Sequence, residues 1–518
     1  MGSNRGAALA LAGAALLASP AAALDAWGGS LAKEDPALVR VLSYNVFNQY
    51  PPGSSDASVP TIAAHRRILQ AVQPDILSFQ EMDPGIGAAL KAELESTLGG
   101  TWHVHQGLVT TPTTVNANLV ASRWPLSMQR VDTIPSSSVR GVTMALVDLP
   151  DATFDRDLYV MGVHFQCCAG ATEDARRQRH ADAIASWMGD ARQPGGNITL
   201  PQGTPMLVVG DVNFNNVANP GPRNTLLTGE IADTATFGPW VRPDWDESDN
   251  AEALPLDLFT MSFNTFSSAT ASPTSRLDRF YFTDSAMEAV QGMVVNTLSM
   301  TGEALGALGL LASDTATASD HLPVFVDFAL PGIAPALPRH GDVFVSEFMP
   351  DPTFVPDLDG EWLELFNATD AAIDIDGWIL RDSGTNLHVI RREGGLAIGP
   401  RSHLVLGING NSSTNGSVPV DYVFPLAFRV ANAGDTIELY RGSAKIDGIR
   451  YGTGMEGLAP ANRLVPVPPA GASMSMQGRY FDGRIDAWAP ATRKYNPADF
   501  GTPGFANTGE PSAWRLVE

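Results

Sequence analysis

Eight side chains between Asn45 and His321 could do chemistry together: Asn45, Glu81, His164, Asp211, Asn213, Asp278, Asp320 and His321. Each stands where an apolar run ends or begins. In LVVGDVNFNN, Leu207 to Asn216, the first three residues read as a strand covered on both faces. Gly210 frees the backbone, and Asp211 and Asn213 follow at i and i+2, on one face of an extended chain. SYNVF supplies Asn45, ILSFQEM supplies Glu81 and YVMGVHFQ supplies His164. RLDRFYF supplies Asp278, and SDHLPVFV supplies Asp320 and His321. Singly, each has an ordinary explanation as a turn residue, a helix cap, a core amide or a buried histidine. Jointly they do not, because carboxylates and imidazoles on apolar strands are costly to bury unless they serve one another.

These residue types suit hydrolysis of a phosphodiester. That reaction needs a cation for developing charge, a base to orient water, and donors for the non-bridging oxygens. Glu81 and Asp320 are hard oxygen ligands suited to Mg²⁺ or Mn²⁺, and Ca²⁺ is an option for the acidic loop PDPTFVPDLDGE, which otherwise reads as a solvated loop. Asp211 can take a proton from water. Asn213 and Asn45 can hold the phosphate and orient Asp211. His321, with Asp278 beside it, and His164 can act as donors.

The elements that must position these groups alternate between strand-like and helix-like segments from Val39 to about Phe328. Strands are expected at Val41 to Val46, Ile76 to Phe79, Ala117 to Ser122, Val142 to Val147, Leu158 to Phe165, Leu277 to Phe282 and Leu322 to Phe328. Helices are expected at Thr61 to Val72, at Pro84 to Leu98, and from a Thr172 cap through Met188. Arg176, Arg177 and Arg179 read as a solvated face of that last helix, with a substrate rim as the alternative. Pro331 to Gly341 reads as a linker, rich in Pro and small residues. Beyond it, VFVSEFM, EWLELFN, IDGWIL, HLVLGI, DTIELY and IDGIRYG are short alternating runs that indicate an antiparallel β-sandwich.

Composition narrows the function classes. The chain has 518 residues, 44% of them hydrophobic, enough for two or three domains with cores. The opening stretch has Arg5, an Ala/Leu run and then Ala21 to Ala23, the order of a secretory signal with cleavage near Ala23. The expected location is therefore extracellular or periplasmic. No later apolar run is long enough to cross a bilayer, and the C-terminal GEPSAWRLVE shows no anchor. The two cysteines, Cys167 and Cys168, are adjacent and cannot staple distant segments; a ring between neighbours and two loop thiols both fit. Net charge is −23, which argues against a non-catalytic nucleic-acid binder yet leaves a cation-assisted enzyme open. Only four basic residues are Lys, so positive charge for a substrate falls to Arg or metal.

The ordered set YNV, FQEM, GVHF, GDVN, RLDRFYF and SDHLPV resembles the endonuclease/exonuclease/phosphatase superfamily, which includes deoxyribonuclease I and bacterial sphingomyelinases. The resemblance spans Val39 to Leu330. It implies an α+β fold: a four-layer αββα sandwich with the site at the strand ends. It implies metal ligation by Asn45, Glu81 and Asp320, and phosphate contacts from Asn45, His164, Asn213 and His321. Asp211 and Asn213 would orient the attacking water, and Asp278 would pair with His321. His164 stands where the deoxyribonuclease and sphingomyelinase branches have His, whereas the abasic-site repair branch has Tyr. The insert Val217 to Thr274 is acidic, so a nucleic-acid groove is not expected there.

DGEWLELFN, IDGWIL, NAGDTIELY and GTPGFAN resemble the lamin-tail domain, an immunoglobulin-like sandwich, from about Gly341 to Asn507. It carries no catalytic set, and a binding, attachment or stabilising role is expected. The leading expectation is thus a secreted metal-dependent phosphodiesterase, a nuclease with nucleic acid as substrate. One alternative is a sphingomyelinase-like or other small phosphoester hydrolase with a phospholipid substrate. Another is a non-catalytic adhesion or scaffold protein.

Overall fold

The computed structural model describes residues 31, 33, 35–110, 115–132, 140–214, 221–260, 262–333, 338, 341–382, 386–392, 394–426, 428–441, 444–453, 463–477 and 488–507. The expected leader, Met1 to Ala23, and much of the expected linker lie outside them. Within the first half, the elements are β1 (Val39–Asn45), α1 (Val59–Val72), β2 (Ile76–Met82), α2 (Gly87–Leu98), β3 (His103–Thr110), β4 (Val115–Ser122), β5 (Leu126–Asp132) and β6 (Val142–Val147). There follow β7 (Leu158–His164), α3 (Ala171–Ala191), β8 (Met206–Asp211), α4 (Gly221–Thr228), α5 (Thr234–Phe237), β9 (Ala251–Ala253) and β10 (Asp278–Phe282). The set closes with β11 (Glu288–Val294), α6 (Gly302–Leu308), α7 (Asp314–Ala318) and β12 (Val324–Ala329).

Two six-stranded sheets result, ordered β11-β12-β1-β2-β4-β3 and β5-β6-β7-β8-β10-β9. Strand alternation assigns the faces. In β1, Val39 and Val41 pack between the sheets with Val160, Leu207, Val209 and Phe280. Leu42 and Tyr44 point the other way, onto Ile68, Leu69 and Val72 of α1. On the far side, Ile184 and Met188 of α3 cover Met161 and Val208. The order is helix, sheet, sheet, helix: the αββα sandwich.

Local sequence sets the element ends. Ser58 caps α1: its hydroxyl accepts from the Thr61 amide while Thr61 Oγ1 accepts from the Ser58 amide at 2.8 Å. Gln73, at φ 53°, ends the helix ahead of Pro74. The helix expected to start at a Thr172 cap differs. Gly170 is its N-cap, with no side-chain cap bond, and the helix runs on to Ala191. Arg177 also departs from the expected solvated face: it is 4% exposed and donates to the carbonyls of Gln166 and Cys168 at 2.8 Å each. That turns the α3 start into a brace for the loop after β7.

The second half forms an immunoglobulin-like sandwich. One sheet includes Val343–Met349, Trp362–Asn367, His403–Gly407 and Met474–Met476; the other includes Ile379–Arg381, Asp435–Arg441 and Ala444–Tyr451. Trp362 lies in its expected strand and Trp378 directly precedes one, both buried. The GTPGFAN ending is tied down by two buried carboxylates. Thr502 donates through its amide (3.0 Å) and hydroxyl (2.6 Å) to Glu347, and the Gly504 amide donates to Glu364 at 2.7 Å.

Burial, aided by repulsion from Glu364, pushes the Glu347 carboxyl up to about 7. The folded chain therefore holds this proton more tightly than the unfolded chain. That stability is present below the unfolded value, about 4.3, and is lost as pH rises through about 7, at about 1.4 kcal/mol per unit. Denaturant melts from pH 5 to 8 should show Glu347→Gln flattening this fall relative to the wild type. An unchanged slope would remove Glu347 as its source.

Candidate active site at the strand ends

The two sheets deliver the eight residues to one end of the sandwich. In parallel register, Asn45 of β1 faces Gln80 of β2, and His164 of β7 faces Asp211 of β8. In antiparallel register, Asp211 faces Asp278 at the start of β10. Gly210 has φ 148°, and a Cβ there would lie 2.0 Å from the Val163 carbonyl oxygen, so only glycine lets β8 close on β7 here. A bulge in β2 between Phe79 and Met82 puts Glu81 at φ 54° and turns its carboxylate toward β1.

Asp211 is the centre, 1% exposed. Its Oδ1 accepts from the Asn213 amide at 2.9 Å. Its Oδ2 accepts from Asn213 Nδ2 at 2.9 Å and Asn45 Nδ2 at 3.3 Å. Asn45 Nδ2 also donates to Glu81 Oε1 at 3.1 Å, and Asn213 Nδ2 to the Phe165 carbonyl at 3.2 Å. Each amide spends its two N–H groups on protein acceptors. Asn45 and Asn213 thus orient the base, one of the two roles expected of them. Burial pushes the Asp211 carboxyl up to about 7, with the His321 cation opposing that rise and the Asp278 charge adding to it.

His321 sits between two carboxylates. Its Nδ1 is 2.9 Å from Asp278 Oδ2 and its Nε2 is 3.7 Å from Asp211 Oδ2. Burial alone would strip its proton, but Asp278 and then Asp211 outweigh it and hold the imidazolium up to about 10. Thr265, which sequence reasoning missed, fixes this pair. Its hydroxyl donates to Asp278 Oδ2 at 2.6 Å and accepts from the Leu277 and Asp278 amides at 3.1 and 3.2 Å. The Ser319 hydroxyl, also missed, donates to the Asn45 carbonyl at 2.6 Å and ties the Asp320 turn to β1.

His164 behaves differently from expectation. Its Nε2 accepts from Arg140 Nη1 at 2.6 Å and lies 3.4 Å from Asp211 Oδ2 and 3.6 Å from Glu81 Oε1. Burial and then the Arg140 cation drive its pKa well below the usual value. Arg140 also donates to the Phe165 carbonyl, and the guanidinium that lines the cleft is that of Arg177. Arg140 stands two residues before β6, and that position was its only signal in the sequence.

A cleft of about 500 Å³ opens here, lined by Glu81, Asp211, Asn213, Asp320 and His321, with Cys167 and Cys168 on its rim. Both cysteines are free thiols, with sulfurs 2.8 Å apart. No cluster of three or more His, Cys, Asp or Glu able to hold a metal occurs among the described residues. Glu81 and Asp320 line the same cleft, and their carboxylates with Asn45 Oδ1 are the oxygens that could hold a divalent cation such as Mg²⁺, which binds through one or two carboxylates plus waters and substrate oxygens. Behind β10, Glu252 gathers three guanidinium groups: Arg223 at 2.7 Å, Arg279 at 2.8 Å and Arg276 at 2.9 Å. Arg276 and Arg279 flank Asp278 in sequence but pair with Glu252, leaving Asp278 to His321.

The Endonuclease/Exonuclease/phosphatase family model matches residues 42–321, which takes in every one of these site residues. The chain belongs to this family. Its chemistry is that of a phosphoester hydrolase, and divalent-cation use is general in the family. A Lamin Tail Domain model matches residues 337–453. No curated protein matches the chain. Among solved structures, an endonuclease/exonuclease/phosphatase from Beutenbergia cavernae DSM 12333 is 17% identical, with 80% of this chain and 99% of that one covered and a TM-score of 0.38. One from Bacteroides vulgatus is 15% identical, covering 57% and 99%, with a TM-score of 0.38. The human Nocturnin catalytic domain with bound sulfate is 15% identical, covering 57% and 95%, with a TM-score of 0.37. Among the described residues no helix is long and apolar enough to cross a membrane.

Proposed function

We propose that this phosphoester hydrolase is an exported, divalent-cation-dependent phosphodiesterase acting on nucleic acid. The observation that carries the chemistry is the buried Asp211–His321–Asp278 row opening on the cleft. Asp211 accepts a proton from water and aims it at phosphorus, in line with the leaving oxygen. Asn45 and Asn213 keep the Asp211 lone pairs in place. The His321 imidazolium, held by Asp278, donates from Nε2 to a non-bridging oxygen as charge grows there. Glu81, Asp320 and Asn45 would hold the cation, which would neutralise charge on the phosphoryl oxygens. Export rests on the Arg5, Ala/Leu and Ala21-Ala22-Ala23 order of the leader.

The test is a panel of plasmid DNA, RNA, sphingomyelin and a chromogenic phosphodiester, each with Mg²⁺, Mn²⁺ or EDTA. Cleavage of nucleic acid and of the chromogenic ester is expected. Chelation should lower the rate by about 10³-fold, and added Mg²⁺ or Mn²⁺ should restore it. Sphingomyelin cleavage without nucleic-acid cleavage would replace the substrate. Undiminished turnover in EDTA would remove the cation.

A further inference from the structure

The second sandwich presents an unusual outer face. In the strand pair Ile379–Arg381 and Asp435–Arg441, Leu380 lies opposite Leu439, and both point into the domain's own core. Ile379 lies opposite Tyr440 on the reverse face, where a sandwich ordinarily meets water. Yet Ile379 is 0% and Tyr440 1% exposed. Both join the hydrophobic cluster of the catalytic domain with Leu256, Leu258 and Met293. Leu387, Val389, Phe259 and Phe263 pack at its edge, and the Arg381 guanidinium sits 5.6 Å from the Phe263 ring centre.

The catalytic segment gripped in this way leads straight to the site. Two residues after Phe263 comes Thr265, whose hydroxyl holds Asp278. The Leu322 amide donates to the Thr265 carbonyl at 2.8 Å, and Phe266 bridges to both His321 and Ser275. The Ser268 amide donates to the Asp320 carbonyl at 2.9 Å. This run has little regular structure of its own, so its placement depends on what it packs against.

We infer that the lamin-tail domain is a positioning element of the hydrolytic site: its outer sheet face clamps the Phe259–Phe263 corner and thereby sets the Thr265–Asp278–His321 row. Phe263 is the positioning residue on one side of the clamp, and Tyr440 and Arg381 are those on the other. The inference rests on the reading of His321 and Asp278 as site residues. It gives the second domain a role within the chain.

The experiment uses the full-length chain. Phe263→Ala and Tyr440→Ala should each lower kcat on a small chromogenic phosphodiester by about 10- to 100-fold with little change in KM, because a small misplacement costs rate more than binding. Phe263→Tyr, which keeps a ring against Arg381, should restore kcat. The double variant should be scarcely worse than either single one, as expected for one shared contact. Amide exchange across 262–278 should quicken in Tyr440→Ala, although Tyr440 reaches that segment only across the domain boundary. Arg381→Ala, outside the sandwich's inner core, replaces Tyr440→Ala should that variant not fold. Unchanged exchange overturns the clamp, and faster exchange with unchanged kcat overturns positioning. If the wild type hydrolyses nothing, the hydrolytic reading fails, while exchange still decides the clamp.

Discussion

Asp211→Asn is expected to lower kcat by about 10²- to 10⁴-fold, the usual worth of a positioned base. An amide oxygen can still accept from the Asn213 amide, but the Asn NH2 then takes the place of Oδ2, where Asn213 Nδ2 and Asn45 Nδ2 both donate, so two buried donors lose their acceptor and the variant should melt lower than the wild type. The pH dependence of that gap carries the information. The folded-state pKa of Asp211 is raised to about 7, so in metal-free buffer the wild type loses stability as pH climbs through that value. A neutral Asn does not titrate, so the gap in melting temperature should narrow as pH rises through about 7. A gap that stays constant with pH would show that Asp211 does not titrate there. Turnover close to wild type would remove Asp211 as the base.

His321→Gln is the second large effect, with kcat lowered by about 10²- to 10³-fold, as when a preorganised donor to a growing negative charge is removed. The side chain is nearly buried, and its proton depends on Asp278 on one side and Asp211 on the other. Gln can donate to one carboxylate but brings no positive charge, so two acids are left facing each other across the cleft floor. Asp278→Asn should reproduce part of the loss, because the imidazole then keeps its place but loses the partner that stabilises its charged form. The comparison is made by steady-state kinetics on the same chromogenic ester. Equal activity in His321→Gln would show that the phosphoryl oxygens find their donor elsewhere, and Arg177 is the guanidinium that lines the cleft.

Much of this site could be read in the sequence because an acid at the end of an apolar strand is a strong local anomaly. Asp211 after Leu207-Val208-Val209, and Asp278 before Phe280-Tyr281-Phe282, stand out without any structure. The alternation of strands and helices was legible from apolar periodicity, β6 among them, whereas the αββα sandwich was implied by the resemblance of the ordered motifs. Other features left no local mark. Thr265 lies in an insert with no periodicity, and its value comes from meeting Asp278 thirteen residues on. Arg177 looks like any charged residue on a polar helix face, yet the loop after β7 folds back over it. Strand β11 was missed because a bulge between Ala289 and Gln291 breaks its alternation. In IDGWIL, Trp378, Ile379 and Leu380 run together without a polar break, the pattern of a strand covered on both sides. Alternation was expected there, so the docking face went unseen.

The Glu252 cluster has an electrostatic consequence. The whole molecule is strongly acidic, and at a distance it should repel an anion. Directly behind β10, however, three guanidinium groups surround one carboxylate, which leaves a surplus of two positive charges in a nearly dry pocket. Burial lowers Arg276 to about 10, which still leaves it charged at neutral pH. Charges walled off from water are weakly screened, so their field reaches farther through protein than through solvent. Removing the counter-ion is therefore the costly change: in Glu252→Ala three cations would be left to repel one another beside β10, the strand that begins with Asp278.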